Sequence, residues 1–404
     1  MKNILLIVLL LLSTIFSKDD EYTLVISFDG FRYDYLDFVD TPNFDLFIDS
    51  GIHSKSLVPV FPSLTFPNHY SIATGYYSDN HLILGNSFYS KKLNKEYSMR
   101  DSDAVQNGAF YGMEPIWVTA EKNNIKTATY FWIGSEAKIN GYRPSIFKEY
   151  DGSVLFKSRV DSVVKWLEYP DSKRPRITML YFSEPDYTGH KYGTSTNEIN
   201  ESIKEMDELL GYIIKQLSSL SIYKKLNILI VSDHGMADVS KDRLIILDEY
   251  INIDHFDIIS GPSITGLNLK SELITIKSNS FTKKIKNGSI ISRNNIPSKY
   301  HYKNNDTPDY ILLADEGWFI ITKSNIKNKK SFPHGMHGYN PESKNMHGIF
   351  MAAGPSFKRG IKIKSIDNVN IYPIICRIYD MDPYQIDGVE NHWEFDIINH
   401  IMNK

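Results

Sequence analysis

The sequence predicts an α/β protein with a mostly parallel central sheet, helices on both faces and a small inserted cap region. Three observations carry that prediction. Short unbroken apolar runs, TLVISFDG, ITMLYFSEPDYTGH and LNILIVSDHG, have the Val-, Ile- and Leu-rich make-up of strands buried on both faces. Between about Glu21 and Val239 these runs alternate with amphipathic helical segments, the rhythm of βαβ units and of parallel pairing. Each run also leads into an acid, Asp29, Asp186 or Asp233, and in open α/β sheets ligands gather beyond the carboxyl ends of the strands.

Taken in order, residues 1–17 place one lysine before a short apolar run and small polar residues, the layout of a secretory signal. A membrane span needs about 20 apolar residues, so an uncleaved anchor is the weaker reading. The expected location is extracellular or an endomembrane lumen, with residues 18–404 forming one domain. TLVISFDG is the first strand and TPNFDLFIDSG the first helix, and a Pro-rich approach leads into a helix within FPNHYSIATGYY. SVLFKSRVDSVVKWLEY and TNEINESIKEMDELLGYIIKQLSSL supply two longer helices. From about 251 to 332 the rhythm lapses into Ser-, Lys- and Asn-rich sequence with short β-like runs, SELITIKS and GWFIITKS, read as an insertion or cap. The βα theme returns with HGIFMAAGPSFKRG and a helical stretch from Val369 to Tyr379.

The 404 residues carry a formal net charge of −3 with both signs interspersed, so no electrostatic footprint points to nucleic acid or anionic membrane as a partner. A secreted chain usually holds disulfides, but Cys376 is the only cysteine, so no intramolecular bridge can form. In the apolar stretch VNIYPIICRIYDM that thiol reads as buried and inert. Sequons at Asn200, Asn287 and Asn305 are compatible with glycosylation outside the cell.

The chemistry lies in the acids and their neighbours. Asp186 and His190 are one helical turn apart and can grip one cation; the adjacent Asp233 and His234, with Asp29, can grip a second. A third histidine is needed for the first ion, and SFPHGMHGYN offers both His334 and His337. In PVFPSLTFPNHYSIATG, Thr65 stands at the N-terminal end of a helix with Pro67 in its first turn. Taken alone it is a cap; beside two cations and the positive end of a helix, its hydroxyl becomes a nucleophile.

These segments, with HLILGNSFYS and YFWIGSEAKINGYRPSIFKEY, follow the order expected of ectonucleotide pyrophosphatase/phosphodiesterases of the alkaline phosphatase superfamily, and the resemblance covers nearly the whole chain after the leader. The resemblance implies an alkaline-phosphatase-like fold and a compact form holding only the catalytic domain. It also implies two zinc ions, one held by Asp29, Asp233, His234 and the nucleophile Thr65, the other by Asp186, His190 and His337. His337 is preferred over His334 because the family histidine directly precedes Gly-Tyr. Asn86 is placed to hold a phosphate oxygen, and Phe66 and Tyr150 to sandwich a base beside Trp132. Leu64, where several vertebrate members have Lys, and Ile133, where Pro is usual after the Trp, depart from the pattern and bear on pocket shape.

The implied function is hydrolysis of nucleotide phosphodiester or pyrophosphate bonds through a covalent nucleotidyl-threonine, releasing a nucleoside 5′-monophosphate from a nucleotide or dinucleotide. Two rivals are a choline phosphodiesterase or lysophospholipase C-type activity on the same metal core, and a secreted binding protein without turnover. A phosphomonoesterase is disfavoured, since no arginine is clearly placed to hold a dianionic phosphate.

Overall fold

The computed structural model describes residues 21–270, 285–328, 331–382, 386–387 and 392–403. The leader predicted at 1–17 and the run SELITIKS lie outside them. An eight-stranded sheet runs in the order Ile361–Ile363, Ile52–Ser54, Phe350–Ala353, Leu226–Val231, Tyr22–Phe28, Ile177–Phe182, Thr127–Tyr130 and Ile146–Lys148. The three acid-tipped strands lie side by side at its centre and pair in parallel. Thr23 faces Ile177 and Asn227, and Ser27 faces Tyr181 and Val231, so the carboxyl ends finish level. One strand breaks the parallel pattern: Phe350–Ala353, within HGIFMAAGPSFKRG, is antiparallel to both neighbours.

Because side chains alternate across a strand, Val25 enters one hydrophobic core and Leu24 and Ile26 another. The first core lies under the helices Thr65–Thr74, Ile116–Lys122 and Ile371–Ile378, which contribute Ile72, Trp117 and Ile374. The second lies under Pro42–Ser50, Phe156–Leu167 and Asn197–Ser218, which contribute Phe44, Val163 and Leu210. Asn197–Ser218 illustrates the sequence logic: Ile199, Ile203, Met206, Leu210, Ile213 and Leu217 recur at helical spacing and are buried. Thr196 caps this helix by accepting the Ile199 N–H at 3.3 Å.

Where the βα rhythm lapses, the chain makes a four-stranded antiparallel sheet in the order Phe256–Ile259, Ile264–Leu269, Tyr310–Ala314 and Gly288–Ser292. One face, with Phe256, Leu267 and Leu312, packs in a third core, and the other, with Ile264, Ile311 and Leu313, joins the first core of the main sheet. Strand Phe319–Ile321, within GWFIITKS, instead pairs in parallel with Leu244–Ile246. Cys376 is buried, and burial pushes its thiol up to about 12. Among the described residues no helix is long and apolar enough to cross a membrane.

Candidate active site

The level strand ends deliver Asp29, Asp233 and the helix Asp186–Tyr192 to one edge of the sheet. Gly30, at φ +65°, makes the turn after Asp29 possible; a Cβ there would lie 2.8 Å from Asp186 Cβ. Its N–H also donates to Asp233 Oδ1 at 3.2 Å, tying two strand ends together. Thr65 is the first residue of its helix, but the cap position belongs to Leu64, which makes no side-chain capping bond. The threonine hydroxyl is therefore not spent on the backbone: Oγ1 lies 3.2 Å from His234 Nε2.

His190, His234 and His337 share one arrangement. Each directs Nδ1 at a backbone carbonyl, of Gly335 at 2.9 Å, Gly235 at 2.8 Å and Ser63 at 2.8 Å respectively. With Nδ1–H donating there, each Nε2 presents a lone pair, as in histidines that bind metal. Those lone pairs face oxygen. His234 Nε2 is 3.0 Å from Asp233 Oδ2 and 3.5 Å from Asp29 Oδ1, His190 Nε2 is 3.5 Å from Asp186 Oδ2, and His337 Nε2 is 3.6 Å from Asp186 Oδ1. Asp29 Oδ1, Asp186 Oδ1 and Asp233 Oδ2 are buried without a hydrogen-bond partner. Donors turned toward one another with buried oxygens left unsatisfied form an arrangement that a cation would relieve. The fit is good: a tetrahedron with arms of 2.0 to 2.2 Å has edges of about 3.3 to 3.6 Å.

Two sets of donor atoms lie close enough to share an ion: Asp186 with His190 and His337, and Asp29 with Asp186 and His234. Asp186 belongs to both, so the two positions adjoin, and the His234 and His337 rings stack with centroids 3.5 Å apart. The electrostatics couple the acids to the histidines: burial opposes charge on His234, but Asp233 beside it outweighs burial and raises its pKa, so a cation binding there would compete with a proton. Burial, then the charges of Asp233 and Asp186, hold the Asp29 carboxyl well above its ordinary range. At Asp233 burial resists ionisation, but His234 and His69 outweigh it and hold the carboxyl well below that range. Burial and the neighbouring His234 and His190 keep His337 neutral, the form that binds metal.

The positions of His334 and His337 fit the preference for His337 that the resemblance gave. His337 is buried at the acids, whereas His334 is exposed and contributes only backbone, its N–H donating to the His190 carbonyl at 2.9 Å. Asn86 lies beside the helix that begins at Thr65, its Oδ1 accepting the Phe66 N–H at 3.0 Å, and it lines a cleft with His190 and His337. Phe66 is half-buried and Tyr150 is 56% exposed, so both offer ring surface. Trp132 does not: it is 1% exposed and its indole N–H donates to the His69 carbonyl at 3.1 Å, placing it in the wall behind the site.

Two buried residues had drawn no role from the sequence. His69, one turn after Thr65, has Nδ1 3.0 Å from the Thr65 carbonyl and 3.3 Å from Asp233 Oδ2, while Nε2 is 2.8 Å from Ser27 Oγ. It thus joins the Thr65 backbone to an acid of the cluster. Tyr181 donates its hydroxyl to Asp29 Oδ2 at 2.5 Å, fixing that carboxylate. The spacing of His69 from Thr65 was a usable signal, since residues four apart share a helix face.

The sequence pattern of the type I phosphodiesterase / nucleotide pyrophosphatase family matches residues 23–340. The chain belongs to that family. It is 35% identical over 395 residues to a venom phosphodiesterase of Naja atra, covering 95% of this chain and 46% of that protein. The chain thus spans about half the length of the venom relatives it matches. The mouse bis(5′-adenosyl)-triphosphatase is 36% identical over 374 residues, covering 91% of this chain and 80% of that protein. Among solved structures, murine ectonucleotide pyrophosphatase/phosphodiesterase 5 superposes with a TM-score of 0.88 at 30% identity, covering 94% of this chain and all of that one. An inactive threonine-to-alanine variant of the same mouse protein, in complex with AMP, gives 0.86 at 30% identity, covering 94% of this chain and 99% of that one. The alkaline-phosphatase-like α/β fold expected for the family is therefore the fold of this chain.

Proposed function

We propose that this protein is a secreted, zinc-dependent phosphodiesterase that cleaves nucleotide phosphodiester or pyrophosphate bonds and releases a nucleoside 5′-monophosphate. The observation that carries the reading is the position of Thr65: a hydroxyl on the first residue of a helix, 3.2 Å from His234 Nε2 and beside an acid–histidine cluster with unsatisfied oxygens. Asp29, Asp233, His234 and Thr65 would hold one ion, and Asp186, His190 and His337 the other. A donor set of carboxylate oxygen and imidazole nitrogen without thiolate suits zinc. When bound, the two ions supply positive charge to the attacking, leaving and nonbridging oxygens.

The chain's own groups do the rest. Thr65 gives up its hydroxyl proton to solvent and Oγ1 forms a bond to phosphorus as the P–O bond to the leaving group breaks, the departing oxygen keeping the electron pair. Water then attacks phosphorus, the P–Oγ1 bond breaks, and a proton from that water restores the Thr65 hydroxyl. Asn86, oriented by Phe66 N–H, donates to a nonbridging oxygen whose charge grows in the transition state. Phe66 and Tyr150 hold the base. His69 and Tyr181 keep Thr65, Asp233 and Asp29 in register. The loss of activity in a threonine-to-alanine variant of the related mouse protein, seen in complex with AMP, supports both nucleophile and product. The apolar leader supports secretion or delivery to an endomembrane lumen.

The test is product analysis after incubating purified protein with ATP, a dinucleoside triphosphate and glycerophosphocholine. A nucleoside 5′-monophosphate is the expected product. Preferential release of phosphocholine would replace this reading with a choline phosphodiesterase.

A further inference from the structure

We infer that the cleft beside His190 and His337 is a subsite for a phosphorylated leaving group, with Arg100 as its selecting cation. The inference rests on the phosphodiesterase reading above and names the class of bond that the site prefers.

In an in-line displacement the leaving oxygen departs on the side opposite the nucleophile. Thr65 lies at His234, a member of the Asp29, Asp186 and His234 group, and the adjoining group is Asp186 with His190 and His337, so the leaving side is that of His190 and His337. A cleft of about 440 Å³ opens there, and its lining includes His190, His337 and Asn86 together with Arg100, Ser98 and Ser260. That volume is within the range of sites that enclose small ligands.

Arg100 reaches this cleft because of a hairpin. Strands Ser87–Ser90 and Lys95–Ser98 pair antiparallel, and the Met99 N–H donates to the Asn86 carbonyl at 2.8 Å. Arg100 therefore follows directly on a residue bonded to Asn86, the group proposed to hold the reacting phosphate. Its own N–H donates to Ser98 Oγ at 3.3 Å, fixing the turn from which the side chain leaves. The guanidinium is exposed and has no ion pair or hydrogen bond among the described residues. No acid is among the described residues lining the cleft. A fork of donors without a carboxylate, one residue beyond the hairpin's closing bond, matches a phosphate of the departing group. Leaving groups of this class are pyrophosphate from a nucleoside triphosphate and a nucleoside diphosphate from a dinucleoside triphosphate. A neutral alcohol or phenol gives Arg100 nothing to grip.

The experiment compares wild type, Arg100→Gln and Arg100→Lys on ATP and on the para-nitrophenyl ester of thymidine 5′-monophosphate, with inorganic pyrophosphate as an inhibitor. Arg100→Gln should lower kcat/KM for ATP roughly ten- to a hundredfold, weaken inhibition by pyrophosphate similarly and leave the ester within about twofold. Arg100→Lys should recover part of the loss on ATP. Equal losses on both substrates, or unchanged kinetics on ATP, would overturn the subsite. A wild type that cleaves the ester but not ATP would also overturn it while leaving the phosphodiesterase reading intact. A wild type that cleaves neither would remove that underlying reading.

Discussion

Replacing Tyr150 with alanine separates substrate binding from chemistry. The ring stands 56% exposed beside the site, propped edge-on by Phe131 at 5.2 Å and Tyr181 at 6.4 Å. Its backbone N–H donates to Glu136 Oε1 at 2.9 Å, a bond that survives the substitution, so the local chain path should hold. Stacking of a base on an aromatic ring contributes about 1 to 3 kcal/mol, and 1.4 kcal/mol is a factor of ten. The variant should therefore lose about fivefold to 150-fold in kcat/KM on ATP or a dinucleotide. Loss of the two edge contacts should cost about 1 kcal/mol of stability, too little to unfold the domain. The assay pairs ATP with bis(para-nitrophenyl) phosphate, which has no base and should be cleaved nearly as well by variant as by wild type. Equal losses on the two substrates would show that Tyr150 supports the fold instead of gripping a base, and the reasoning would fail.

Three further outcomes follow from the same geometry. Thr65→Ala should abolish turnover and leave the folded state intact, because it removes the attacking oxygen and only one of four donors around its site; near-normal activity with an unchanged circular dichroism spectrum would mean that water attacks phosphorus directly. His337→Ala should reduce activity far more than His334→Ala, since the first is buried against Asp186 and the second is exposed; similar small losses would show that the third histidine has been misassigned. Chelation should inactivate the protein and added zinc restore it, with about two zinc ions per active chain by atomic spectroscopy; active protein free of zinc would refute the metal assignment.

Much of this site was legible because parallel strands in register carry the residues after them to one edge. Asp29, Asp186 and Asp233 could thus be gathered from three apolar runs without any knowledge of their contacts. Other parts depended on three-dimensional partners. His334 and His337 are both one step from the Gly335–Met336 bridge to Ala237–Asp238, and only that pairing turns one outward and the other toward the acids. His69 finds Ser27 and Asp233, far away in sequence, so its helical spacing from Thr65 could suggest a link but not the partners. Trp132 was expected beside a base; a tryptophan in an apolar run reads the same whether it faces ligand or core, and here its N–H bond to His69 fixes it in the wall. The described residues of the 251–332 region lack the helical rhythm because they build a four-stranded antiparallel sheet, whose alternation sends Leu267 and Leu312 to one core and Ile264 and Ile311 to another.

The central claim is that Thr65 carries the nucleotidyl group between two displacements, and the stereochemical course at phosphorus tests it most directly. A P-chiral nucleoside phosphorothioate diester is hydrolysed in heavy-oxygen water and the configuration of the product determined. Two in-line displacements, one by Thr65 and one by water, predict net retention. Net inversion would mean a single attack by water and would contradict the account.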